Sequence, residues 1–116
     1  MLEDVKTVLR ISNNAYDAEI EDLIEAAKMD LKLSGVNIDK TVTETYTPEP
    51  TEENPKPKPV EIQVMDPLIK RAIIVYVKAN FGWNNPDAEK LQQSFRMLET
   101  HLALSQEYAE VTEDVV

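Results

Sequence analysis

The chain has 116 residues, of which 42% are hydrophobic, and a formal net charge of −10. That length suits one domain with a modest core, read here as residues 1–116. The acidic balance argues against gripping nucleic acid through ion pairs. With 2 Gly there is no phosphate-cradling loop, and with no Cys there is no disulfide, thiol catalysis or Cys-ligated zinc.

Leu2, Val5, Val8 and Leu9 recur at helical spacing and predict a short first helix ending near Arg10. The start "MLEDVKTVLR" is acidic and amphipathic, unlike a signal peptide. Ser and Asn in "ISNNAYD" break the pattern. A second helix is expected from about Asp17 to Ser34, its apolar stripe made by Ile20, Leu23, Ile24, Ala27 and Leu31. Gly35 stands where a helix-ending glycine belongs.

From Val36 to Met65 the helical period is lost. "TVTETYT" and "VEIQV" favour extended structure and flank "PEPTEENPKPKP", which carries five of the 7 Pro. Residues 36–65 therefore read as a protruding arm, either a two-stranded hairpin with a solvated tip or a plain mobile loop. An isolated hairpin is marginal and needs support.

Asp66-Pro67 is a helix start, with a capping Asp and Pro in the first helical position. Leu68, Ile69, Ala72, Ile73, Tyr76 and Val77 make the third helix the central one, running to about Phe81. Its apolar run "AIIVYV" is far shorter than the roughly 20 residues that cross a bilayer, so a soluble intracellular chain without membrane contact is expected. Lys70, Arg71 and Lys78 form the only basic stretch. Gly82 ends this helix, and Asn85-Pro86 leads into a fourth, in which Leu91, Phe95, Leu98 and Leu102 form a seam reaching to about Tyr108. Residues 109–116 read as a flexible acidic tail. The expected fold class is all-α: about four helices in a small bundle, with the Pro-rich arm between the second and third.

Chemistry is hard to find. His101 is the only imidazole, and neither Glu-x-x-His nor His-x-x-x-His occurs. Asp17, Glu21, Asp22 and Glu25 lack the partner motifs of a carboxylate metal site. No enzyme, metal or cofactor is expected. The first two helices imitate a helix-turn-helix, but "DAEIEDLIEAAK" places five acids where phosphates would approach. Trp83, just past Gly82, suits an interface, since aromatic groups at rigid turns anchor contacts, while Phe81 with Tyr76 reads either as a plug for the end of the bundle or as part of that interface. The Lys70, Arg71 and Lys78 face is expected to meet Glu21, Asp22 and Glu25 of a neighbouring copy.

"MLEDVKTVLRI…DAEIEDLIEAAKMDL" with "DPLIKRAIIVYVKANFGWNNPDAEKLQQSFRMLETHLALS" resembles the head–tail connector (head-completion adaptor) family of tailed bacteriophages and their prophages. The resemblance covers both helical blocks and leaves the arm unmatched. It implies a structural adaptor in the virion, assembled in the host cytoplasm as a ring, usually of twelve copies, beneath the portal protein. Such a ring completes the head after DNA packaging, extends the DNA channel and offers a platform to a tail or stopper protein, while DNA passes without specific binding. Residues 103–116 would then reach the portal through Leu104 and Tyr108. The rival reading is a small helical regulatory protein that offers the Pro-rich arm to a partner.

Overall fold

The computed structural model describes residues 1–82, 85–105 and 107–109. Its elements in chain order are α1 (Leu2–Leu9), α2 (Asp17–Leu33), β1 (Thr41–Tyr46), β2 (Val60–Met65), α3 (Pro67–Asn80) and α4 (Ala88–Leu104). The all-α expectation is corrected: four helices accompany a two-stranded antiparallel sheet, a mixed α and β architecture. The hairpin form of the arm is the one adopted. Thr41 pairs with Met65 and Tyr46 with Val60, as β-branched residues in alternation favour.

Both helix ends before the arm use the same device. At the end of α2, Gly35 takes φ 92, donating to Lys32 O at 3.0 Å while Val36 donates to Leu31 O at 3.0 Å. This is a Schellman closure, and the Val36 side chain it delivers is fully buried. At the end of α1 the pattern repeats with Arg10 in the glycine's place, at φ 61. Ile11 there donates to Lys6 O at 2.9 Å.

Helix α3 lies at the centre. Ile69, Ala72, Ile73 and Val77 are all at 0% exposure, and the helix packs on α1, α2 and α4. Val5 enters the core from α1, Ile20, Ile24, Ala27 and Leu31 from α2, and Phe95 and Leu102 from α4. Tyr76 meets Phe95 edge-on at 5.1 Å between ring centroids. The strands pair with each other and scarcely touch the helices. Extents of 51 × 48 × 21 Å and a radius of gyration of 17.4 Å, against roughly 13 Å for a compact domain of this length, fit an arm standing off a small flat bundle.

Helix α4 stops at Leu104, short of the Tyr108 expected from the sequence. Ser105 turns to extended backbone, and Asn37 N–H donates to Tyr108 O at 2.7 Å. Ala109, expected to open a flexible tail, forms a bridge with Val36. Pairing across the fold wins here over another turn of helix.

Candidate functional site

Three surfaces and one polar junction stand out, and the junction shapes the rest. Asp66 caps α3 by accepting from Leu68 N–H at 2.9 Å. Its second oxygen accepts from Lys40 Nζ at 3.3 Å and from the Tyr108 hydroxyl at 3.2 Å. Lys40 Nζ also lies 4.5 Å above the Tyr108 ring, a cation–π contact. One carboxylate thus ties together the arm root, the start of α3 and the segment after α4. Burial by itself raises the Asp66 pKa, but the hydrogen bonds from Leu68, Lys40 and Ile69 outweigh it and hold the carboxyl below its usual range. Burial and then the charge of Asp66 push the Tyr108 hydroxyl up.

The first surface is a groove between α3 and α4 of about 340 Å³, lined by Arg71, Val75, Leu91, Met97, Leu98 and His101, with Ser94 beside them. Met97 is 63% exposed and Leu104, two turns further along α4, is 79% exposed. Arg71 has no ion-pair partner among the described residues.

The second surface belongs to the hairpin. Its register places Val42 opposite Val64, Glu44 opposite Ile62 and Tyr46 opposite Val60, all on one side. The other side carries the polar ladder in which Thr41 donates to Gln63, which in turn donates to Thr43 at 2.7 Å. Tyr46, Val60 and Ile62 are exposed on the apolar side. At its root this side opens on a crook lined by Met1, Asp4, Glu44, Val64, Pro67 and Lys70, with Met65.

The third surface is the exposed acidic face of α2, carrying Glu21, Asp22 and Glu25, with Lys28 3.4 Å from Glu25. The basic trio expected to oppose it is split. Lys70 is held by Asp4 of its own chain at 3.1 Å, which leaves Arg71 and Lys78 exposed. Phe81 is half-buried and packs edge-on against Tyr16 at 5.6 Å. Trp83 lies outside the described residues, as does the tail from 110 onward. Tyr108 is half-buried at the junction, while Leu104 faces outward.

Two buried charges carried no sequence signal. Lys6 is 5% exposed and reaches Asp17 at 2.8 Å and Asn14 at 3.1 Å. The Asp17 contact is a meeting of charges whose angle is poor for a hydrogen bond. Glu99 on α4 is 6% exposed, with Arg96 3.6 Å from one oxygen and no hydrogen-bond partner for the other among the described residues. Burial first, then the neighbouring Asp30 carboxylate, raises its pKa to about 7, against smaller pulls from Ser34 and Arg96. Apolar residues at helical spacing surround both positions, so only the fold shows that these polar groups are covered.

No group of three or more His, Asp or Glu residues that could hold a metal occurs among the described residues. No helix is long and apolar enough to cross a membrane. What the geometry offers is surfaces: an apolar groove with one cation, an apolar sheet face with one anion, and a separate acidic face. A family model described as phage connector protein matches residues 1–109, the arm included, which extends the likeness beyond the helical blocks. Neither the curated proteins nor the solved structures include a match.

Proposed function

The chain belongs to the phage connector protein family, a family of structural virion components that associate with other head and tail proteins, and we propose that its copies close into a ring between portal and tail. In this reading the ring completes the head and extends the channel through which DNA passes. The observation that carries it is the family match, which spans both helical blocks and the arm between them.

The surface chemistry supports the same reading. Leu33, Met97 and Leu104 are 81%, 63% and 79% exposed, apolar groups that a lone subunit leaves in water. Twelve copies at −10 each carry about −120, so a channel wall of this protein repels phosphate and lets DNA slide. That self-repulsion is offset where opposite charges meet, and Lys78 of one copy facing Glu21 and Asp22 of the next is one such pairing. Leu104 and the residues after it form the portal contact.

Electron microscopy of the purified protein, with and without portal protein, tests the assignment. Annular particles seated on the portal are expected. Particles assembled without this chain that retain DNA and acquire tails as usual would refute it. Deleting residues 48–59 separates this role from that of a regulator acting through its Pro-rich arm. A connector still docks to the portal, whereas a regulator loses its partner.

A further inference from the structure

We propose that the apolar face of the hairpin in one copy seats on the α3–α4 groove of the next, with Glu44 meeting Arg71. The proposal rests on the self-assembly reading above and specifies a contact that the reading leaves open. It starts from an imbalance in the hairpin. Two strands alone are marginal in water, and a third layer is usually needed to cover one face. Here the covering layer is missing: Val42, Tyr46, Val60, Ile62 and Val64 line up on one side with no helix of their own chain packed over them.

The chain's own groove does not supply that layer. At its root the apolar face of the hairpin opens toward Met1, Asp4, Pro67 and Lys70, the α1 side of α3. Arg71 and Val75 line the adjoining part of the same helix, where it meets α4, and the two surfaces share no residue. The strands of the same chain scarcely touch the helices and leave that groove uncovered, so the hairpin of a second copy is the layer proposed for it. A patch that binds a different patch on an identical chain is a head-to-tail contact, the kind that closes into rings.

The two surfaces match in chemistry and length. Each is apolar with a single formal charge of opposite sign, Glu44 on the sheet and Arg71 in the groove. Neither charge has an ion-pair partner among the described residues. From Val42 to Tyr46 a strand advances about 14 Å. From Leu91 to His101 a helix rises about 15 Å. A sheet laid along that groove covers Met97 and Leu98 on one partner and Ile62 and Val64 on the other.

Charge reversal provides the test, because both residues are exposed and either change leaves the fold of the subunit intact. Glu44→Arg or Arg71→Glu alone is expected to weaken self-association by roughly tenfold or more in sedimentation velocity. The double variant Glu44→Arg/Arg71→Glu is expected to recover most of it. Because the chain has no cysteine, mixing Ile62→Cys protein with Met97→Cys protein under mild oxidation should give a disulfide-linked heterodimer. Ile62→Cys mixed with Glu19→Cys serves as the control and should not. Association that ignores both reversals, a double variant that stays weak, or cross-linking no greater than the control overturns this contact while leaving ring assembly standing. A chain that never self-associates, even at high concentration or on portal protein, overturns both.

Discussion

Replacing Asp66 with Ala strikes three attachments with one change. The cap of α3 is lost, at a cost of about 1 kcal/mol. The Tyr108 hydroxyl loses a charged acceptor at 3.2 Å, and a hydrogen bond to a charged group contributes about 1.5–3 kcal/mol. The ion pair with Lys40 adds little, because the Lys40 side chain is 27% exposed and turns to water. The sum is about 3 kcal/mol, read as a drop in the urea midpoint at unchanged m-value with helix circular dichroism as the signal. A double-mutant cycle with Tyr108→Phe isolates the second contribution, with a coupling of about 1–2 kcal/mol expected. Asp66→Asn retains an acceptor for Leu68 and should fall between. If Asp66→Ala costs under about 1 kcal/mol, or the cycle with Tyr108 is additive, the junction does not hold the segment after α4 as argued.

Three further expectations follow from buried groups and backbone. A carboxyl with its folded pKa raised binds its proton more tightly folded than unfolded. The Glu99 contribution is therefore full below about 4.5 and falls away as pH rises to about 7, at up to about 1.4 kcal/mol per pH unit. Glu99→Gln should flatten that decline in urea titrations at pH 5, 6 and 7.5, and an unchanged slope counts against it. Asp66 works in the opposite sense: its lowered pKa gives stability that is lost as pH falls through the acid range. Asp17→Ala strands the buried Lys6 and should cost about 2 kcal/mol, less than a fully buried pair because the Asp17 side chain is 30% exposed. Lys6→Met should recover part of this in chemical unfolding, and a loss equal to that of Asp17→Ala would show that the charge is not the problem. At the helix reversals the signs differ. Gly35→Ala, at φ 92, should lose about 1 kcal/mol, whereas Arg10→Gly, at φ 61, should gain about 0.5 kcal/mol in thermal unfolding.

Local signals placed the helices well. The period of Ile20, Leu23, Ile24, Ala27 and Leu31, the glycine at 35 and the Asp66-Pro67 start depend on residues within a turn or two of each other, and α2 and α3 begin and end within a residue of their expected limits. The arm was harder to read. Its β-prone flanks were visible, but its hairpin depends on pairing between Thr41 and Met65, 24 residues apart in sequence, so an all-α class was the wrong conclusion. The surroundings of the interface candidates likewise depend on the fold. Sequence grouped Lys70 with Arg71 and Lys78, and the fold withdrew Lys70 to Asp4. Phe81, read both as a plug for the end of the bundle and as an interface aromatic, packs half-buried against Tyr16.

Composition and periodicity alone determined that this is an acidic chain with four helices and α3 at its centre, because those properties depend on residue type and near-neighbour spacing. Only the tertiary structure decided that Asp66 serves three elements at once, that Lys6 and Glu99 are covered, and that the helices leave the apolar side of the hairpin uncovered. Each of these depends on groups far apart in sequence meeting, or failing to meet, in space, and a one-dimensional pattern carries no record of that distance.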